Sequence, residues 1–264
     1  MLWSRAVEAG ATILTDAQRA QFDRDGFFII EDTGIANGVL DGAVADTKDL
    51  YEEEEYAERM GDDGVLYTSH RILDAWKISE NVKSIALNPR ILAILRELYG
   101  REPLPFQTLN FPFGSQQAAH SDTIHFNSKP PGYMAGVWVA LEDMNMDNGP
   151  VVYYPGSQKL PEVTMQTVGA KPDHSDYRKY ERYIAELIER EGLEARYATI
   201  NKGEVLIWSA NILHGGSRQR DRTRSRHSQV THFFFEGCRY YTPMTSPDPS
   251  TDEGVFWRDP QWIR

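Results

Sequence analysis

Beyond residue 100 the chain breaks into short apolar or alternating runs separated by Gly, Pro and Asn, at 106–111, 134–141, 151–154, 205–208 and 229–235. Runs of that length, punctuated in that way, suit the strands of a sandwich or barrel and suit little else. The pattern is interrupted once. Residues 175–191 space Tyr180, Tyr183, Ile184, Leu187 and Ile188 along one helical face, inside an insertion of about 163–200 that serves either as a lid or as a packing helix. The first 100 residues read differently. A helix at 15–25 is capped by Thr15 or Asp16, turns Phe22 inward and stops at Gly26, and a buried strand follows at 27–30. A longer helix is expected over 38–60, with Leu40, Val44, Thr47 and Tyr51 at helical spacing, and its acidic run Glu52 to Glu55 forms a solvated face. Another, over 89–99, carries Ile91, Leu92, Ile94, Leu95 and Leu98 and ends at Gly100. The prediction is a mainly β chain with flanking helices: mostly helical support over 1–100, a sheet core over 101–240, and one domain spanning 1–264. A length of 264 residues with no repeat or low-complexity linker fits that reading.

Charge narrows the partners. The formal net charge is -11, from 39 acidic and 28 basic side chains. A surface of that sign repels phosphate backbones and anionic lipid, so neither nucleic acid nor a membrane is expected; the balance says nothing about a small substrate, because a pocket can be locally basic inside an acidic protein. The balance carries no information about oligomeric state. Cys238 is the single cysteine and cannot form an intramolecular disulfide. With no signal-like start and no apolar stretch near the roughly 20 residues that span a bilayer, the expected location is cytoplasmic.

The chemistry is concentrated in His120-Ser121-Asp122 and His214. Side chains two residues apart on extended backbone point the same way, so the imidazole of His120 and the carboxylate of Asp122 can converge on one ion. His214 follows the apolar run ending at Trp208 and precedes two glycines. Two neutral imidazoles and one carboxylate on one face of iron(II) leave the opposite positions open for a chelating co-substrate and O2. His-x-Asp alone is a weak signal, because a histidine bonded to an aspartate is common in ordinary structure. The arginines after His214 sharpen it. Arg218, Arg220, Arg222 and Arg224 read as a solvated turn, but Arg226 opens the last clear strand. From there a guanidinium can fork two N–H bonds onto a distal carboxylate such as that of 2-oxoglutarate.

These residues resemble the phytanoyl-CoA dioxygenase-like family of iron/2-oxoglutarate oxygenases, over nearly the whole chain. The likeness runs through Thr15-Asp16-x-Gln18 with Phe22 and Asp25-Gly26-Phe27, His120-x-Asp122, and Trp138-Val-Ala-Leu141-Glu-Asp143. It continues through Asn148-Gly149-Pro, Tyr154-Pro155-Gly156-Ser157-Gln-Lys159 and Lys202-Gly203-Glu-Val-Leu206-Ile-Trp208, and leads into His214. The resemblance implies a double-stranded β-helix, the cupin-like jelly roll. It implies iron(II) held by His120, Asp122 and His214, with 2-oxoglutarate held by Arg226 and helped by Ser217, Asn110 and Trp138. The implied reaction couples decarboxylation of 2-oxoglutarate to succinate and CO2 with hydroxylation of a C–H bond by O2. One departure stands out: the family usually reads His-x-Ser, whereas this chain reads His214-Gly-Gly-Ser217, one glycine longer. That shift keeps Arg224 open as an alternative to Arg226. Related halogenases carry Gly or Ala where Asp122 stands, which makes a hydroxylase the expected outcome.

Gln116, Gln117, His125, Tyr153 and Arg239 flank the metal motifs or the last strand and are the candidates for contact with substrate. Their mixed polar and aromatic character suits a small polar metabolite or natural-product intermediate. His125 is also an alternative metal ligand, His232 reads as a packed residue, and His174 and His227 read as surface residues. His70, with Tyr67 and Arg71, lies in a polar loop that could border an entrance. Two rival functions remain open at this stage. One is a cupin-like metal enzyme that does not use 2-oxoglutarate. The other is a non-catalytic jelly-roll protein that binds carbohydrate through Trp138, Tyr153 and Tyr154.

Overall fold

The structure, a computed structural model, describes residues 12–53, 58–60, 66–68 and 71–264. Its N-terminal part runs α1 (Asp16–Asp25), β1 (Phe27–Ile30), α2 (Asn37–Glu53), β2 (Glu58–Met60), β3 (Leu66–Thr68), β4 (Ile72–Leu73), α3 (Glu80–Ala86) and α4 (Pro89–Tyr99). The sheet-rich part follows with β5 (Pro103–Phe111), β6 (Asn127–Lys129), β7 (Met134–Ala140), β8 (Val151–Tyr153), α5 (Tyr177–Arg190) and β9 (Arg196–Tyr197). It closes with β10 (Val205–Ser209), β11 (His214–Gly216), β12 (Ser228–Phe235), β13 (Arg239–Tyr241) and β14 (Trp257–Arg258). The caps are those the sequence suggests. Thr15 and Gln18 form a reciprocal capping box, and Gly26 ends α1 in the left-handed conformation at φ 80°.

The major sheet is antiparallel in the order β1-β10-β7-β12-β5-β4. Its central strands are buried along their whole length, because both faces are covered. Alternation along each strand divides the side chains between the two faces. Phe28, Ile30, Val137, Val139, Val205, Ile207, Phe233 and Phe235 turn to one face and join Phe22, Leu40, Ile85, Ile91, Leu95 and Leu98 of the helices in a single core. The intervening Phe27, Trp138, Leu206, Trp208 and Val230 turn to the other face. There they meet Val151 and Tyr153 of the smaller sheet β11-β8-β9. A third sheet, β14-β13-β6, lies toward the C-terminal end of the chain.

Several expectations change in detail. The helix expected over 38–60 is described only as Asn37–Glu53, and Glu58–Met60 is instead a strand paired with Leu66–Thr68. The apolar spacing ends at Tyr51, so the acidic stretch beyond it offers no face to bury. The expected helix at 175–191 is present as Tyr177–Arg190, entered through a 3-10 turn at His174–Asp176. It buries Tyr180, Ile184 and Leu187 against Ile124, Leu213 and Met244. The position of His70 and the side chain of Tyr67 lie outside the described residues.

Gly136 shows how tightly the inner face is packed. It sits opposite Trp208 on β10 and opposite His232 on β12, and a Cβ there would run into the Trp208 indole. Gly136→Ala is expected to cost about 1–3 kcal/mol of stability, the usual cost of overpacking a filled core, measured as a lowered urea midpoint. An unchanged midpoint would show that the indole can move aside freely.

Candidate metal and co-substrate site

His120 and His214 face each other across an isolated antiparallel bridge. Each backbone N–H donates to the other's carbonyl at 2.9 Å, and the imidazole centroids lie 4.7 Å apart. Ser121 is extended, at φ -106° and ψ 140°, so the Asp122 side chain returns to the side on which His120 lies. The segment is held in place by its neighbours: Ser121 N–H donates to the Tyr180 hydroxyl of α5 at 3.0 Å, and Ser121 Oγ donates to the Ala210 carbonyl at 3.1 Å.

The ring nitrogens are already sorted. His120 Nδ1 lies 3.0 Å from the Ala118 carbonyl, and His214 Nδ1 lies 3.2 Å from the Ile212 carbonyl. A carbonyl accepts only, so both Nδ1 atoms carry a proton, and it is the Nε2 atoms that would offer a lone pair to a metal. Those Nε2 atoms lie 4.0 Å and 3.7 Å from Asp122 Oδ1. Asp122 Oδ2 is taken by the Trp208 indole N–H at 2.8 Å, which leaves Oδ1 as the free ligand oxygen. The three donor atoms lie within 4.8 Å of one another, and all three residues are buried. Among the described residues this is the one His/Cys/Asp/Glu cluster that converges in this way. His125 is not part of it; its Nε2 lies 3.2 Å from the Tyr177 hydroxyl.

The electrostatics agree with a ligand set. Burial pushes His120 down to about 3, so it is neutral at ordinary pH. Burial alone would raise the Asp122 carboxyl, but the facing His214, His232 and His120 and the Trp208 N–H together hold it below the usual carboxylate range. Two neutral imidazoles and an ionised carboxylate are the donors that non-haem iron(II) takes.

The three residues line a cavity of about 730 Å³. Arg226 lines the same cavity, whereas Arg224 does not. Arg226 is 3% exposed, its guanidinium lies 5.6 Å from both the Phe111 and Trp138 rings, and burial pulls it down to about 10. Its Nη1 donates to Ser228 Oγ at 3.2 Å and its Nη2 to the Phe113 carbonyl at 3.3 Å. Its Nε and the Trp138 indole nitrogen are buried donors with no partner among the described residues. Unpaired buried N–H groups are costly, and an acceptor-rich dianion is the kind of ligand that relieves them.

The family model for phytanoyl-CoA dioxygenase matches residues 22–228. The chain belongs to the phytanoyl-CoA dioxygenase family. Ectoine dioxygenase of Sphingopyxis alaskensis is 28% identical over 227 residues, covering 76% of this chain and 69% of that protein. Phytanoyl-CoA dioxygenase domain-containing protein 1 of Mus musculus is 30% identical over 79 residues, a stretch that spans only 27% of its length. Among solved structures, the alpha ketoglutarate dependent carbocyclase SnoK from nogalamycin biosynthesis superposes with a TM-score of 0.69 at 16% identity, covering 88% of this chain and 90% of its own. EctD from S. alaskensis with 2-oxoglutarate and 5-hydroxyectoine gives 0.68 at 19% identity, covering 100% and 91%. The epimerase SnoN in complex with Fe3+, alpha ketoglutarate and nogalamycin RO gives 0.63 at 19%, covering 93% and 92%. Likenesses at this level of identity establish the fold: these neighbours are cupin-like, mostly sheet with some helices.

The two glycines of His214-Gly-Gly-Ser217 have a visible role. Gly215 and Gly216 lie flat against the backbone of residues 116–119, where a Cβ on either would collide. Ser217 is thereby carried past the cavity wall, and its hydroxyl donates to the Pro150 carbonyl at 2.6 Å. Asn110 is also outside the wall. Its strand neighbours Leu109 and Phe111 line the cavity, so by alternation it points to the opposite face of the sheet, where its Nδ2 donates to Gln229 Oε1 at 3.4 Å. Trp138, Gln117 and His125 do line the cavity. Gln116 does not; its Oε1 accepts from the Gln219 N–H at 3.1 Å. Tyr153 packs its ring 4.4 Å from Phe27, and Arg239 pairs with Asp252 at 2.8 Å on the surface. The residues that the sequence reading missed are Trp208, behind Asp122, and Phe126, Tyr177, Met244 and Arg258 around the cavity. Exposed His174, expected at the surface, borders the cavity as well.

Two predictions arise here. Trp208→Phe keeps the ring and removes the N–H on Asp122, and should weaken iron(II) binding about 10–100-fold in a competition titration, the usual cost of losing a group that orients a ligand. Unaltered affinity would mean that the indole does not orient the carboxylate. The second concerns pH. His120 at about 3 and His125 and His232 at about 4 stay neutral in the fold, while the unfolded chain protonates them near 6.5. The unfolded state therefore binds more protons between about pH 4 and 6.5, and stability falls as pH falls through that window, by up to ~1.4 kcal/mol per pH unit for each histidine. Asp122, lowered from its ordinary value, adds its own loss only below that range. Urea midpoints of the metal-free protein should drop steeply from pH 6.5 to 4.5, and less steeply in His232→Gln; parallel curves would contradict a neutral buried His232.

Proposed function

We propose that the protein is an iron(II)- and 2-oxoglutarate-dependent dioxygenase that hydroxylates an unactivated C–H bond of a small polar metabolite or natural-product intermediate, releasing succinate and CO2. On this reading the chain is one catalytic unit over 1–264, built as a double-stranded β-helix, and works in a reducing compartment such as the cytoplasm, in keeping with the free thiol of Cys238. The observation that carries the proposal is the convergence of His120 Nε2, His214 Nε2 and Asp122 Oδ1 on one point of a cavity that also contains the buried guanidinium of Arg226. His120, Asp122 and His214 would hold the metal. Arg226, lying over Phe111 and Trp138, would hold the distal carboxylate of 2-oxoglutarate.

Iron with 2-oxoglutarate and O2 supplies the power to oxidise a C–H bond, and the protein supplies placement and shielding. The Ala118 and Ile212 carbonyls keep both imidazoles in the tautomer that ligates through Nε2. The Trp208 N–H keeps one carboxylate oxygen of Asp122 turned away and the other free. Phe111, Trp138 and Val230 form an apolar wall that limits water beside Arg226. A carboxylate at position 122 occupies the place that a halogenase would leave for chloride, which favours hydroxylation. The buried, partly unpaired guanidinium of Arg226 argues against a cupin-like enzyme without 2-oxoglutarate. The burial of Tyr153 against Phe27 removes one of the rings that a carbohydrate-binding surface would use.

The test is an anaerobic titration of the iron(II)-loaded protein with 2-oxoglutarate, followed by the weak visible charge-transfer absorption of chelation. Wild type should develop the band, and Asp122→Ala should not. Arg226→Lys should raise the 2-oxoglutarate concentration needed by about tenfold or more, since one ammonium cannot reproduce a fork of N–H donors. Iron binding without a band would shift the reading to a cupin-like metal enzyme, and failure to bind iron would end it.

A further inference from the structure

The cavity walls carry a charge pattern that the metal and its co-substrate leave unused. Among the described residues Asp122 is the only carboxylate that lines the cavity, and the guanidiniums that line it are those of Arg226, Arg71 and Arg258. On the reading proposed above, on which this inference rests, two positive charges of iron together with Arg226 are matched by Asp122 and the two carboxylates of 2-oxoglutarate. Arg258 takes no part in that balance.

Arg258 and Arg226 reach the cavity from different elements and against different neighbours. Arg226 precedes β12 and sits by Phe111, which pairs with Ser228 at the start of that strand. Arg258 is on β14, and its guanidinium lies 4.9 Å from the ring of Phe126. Phe126 in turn lies 5.0 Å from His232, four residues further along β12, and His232 Nε2 is 3.9 Å from Asp122 Oδ2. Arg71 lines the cavity too. Arg258 thus sits on the His232 side of the site, while the proposed co-substrate arginine lies beside the start of β12.

The guanidinium of Arg258 is half-buried, donates from Nη1 to Thr242 Oγ1 at 3.0 Å, and is paired with no carboxylate among the described residues. Burial pulls its pKa below the ordinary arginine value, with no acidic group offsetting it. A charged group partly removed from water and left without a counter-ion is costly, and an anionic ligand would repay that cost. We infer that the substrate carries an oxyanion, a carboxylate or a phosphate, and that Arg258, braced on Phe126 and Thr242, anchors it on the His232 side of the metal. Arg258 is here a specificity-determining residue that fixes which end of the substrate faces the metal.

The test uses three probes of one shape: phenylacetate, phenyl phosphate and the neutral phenylacetamide. Each is titrated calorimetrically into the protein under anaerobic conditions, both metal-free and loaded with iron(II) and 2-oxoglutarate. At least one anion should bind about tenfold or more tightly than the amide, and Arg258→Gln should abolish that preference while retaining the 2-oxoglutarate band. Arg258→Lys should restore part of it. Preference for phenylacetate marks a carboxylate substrate and preference for phenyl phosphate a phosphorylated one. Equal binding of the amide, no binding at millimolar concentration, or an undiminished preference in Arg258→Gln overturns the inference. Absence of the 2-oxoglutarate band in wild type would instead sink the reading on which it rests, with the anion preference still scored on the metal-free protein.

Discussion

Two backbone hydrogen bonds, exchanged between His120 and His214, hold together parts of the chain that lie far apart in sequence. They belong to no named strand pair, yet the site geometry depends on them. They set the separation of the two imidazoles, fix the carbonyls of Ala118 and Ile212 beneath the Nδ1 atoms, and bring Asp122 back between the rings. The rest of the fold keeps that bridge in register. Gly215 and Gly216 allow the two backbones to touch, Tyr180 holds Ser121 from outside, and Trp208 holds Asp122 from the major sheet.

The major sheet makes this precision affordable. Because helices cover one face, alternate residues on β7, β10 and β12 are free to face the other side and build a site. The helical core positions Trp138, Trp208 and His232 without contributing any atom to the cavity chemistry. Rigid support behind a small set of polar groups is the usual arrangement where a reactive centre must be kept dry and aligned.

Much of this was legible in the chain. The five apolar runs after residue 100 are strands, the capping pair Thr15/Gln18 starts a helix, and His120, Asp122 and His214 come together. What was not legible has physical reasons. Strand alternation put Asn110 on the far face, a distinction of one residue that no motif spacing resolves. Ser217 lies outside the cavity wall with its hydroxyl on the Pro150 carbonyl, a placement that only the folded backbone of the glycine pair sets. The short strands β11, β13 and β14 have too few residues for periodicity to show, so the cavity residues on β14 and on the turn after β13 had no local signal. Trp208 read as an ordinary core residue; only its pairing opposite Gly136 reveals that the indole reaches Asp122.

The wall formed by Thr242, Met244, Thr245 and Arg258 lies beyond residue 228, where the match to the family ends. The metal donors and Arg226 all lie inside it. On the reading proposed above, the two halves of recognition thus lie in different stretches of the chain, one inside the family match and the other beyond it. Substitutions in the C-terminal wall would then change which molecule is accepted without disturbing the residues proposed to bind iron and 2-oxoglutarate. Such a separation would let one oxidative chemistry serve different substrates.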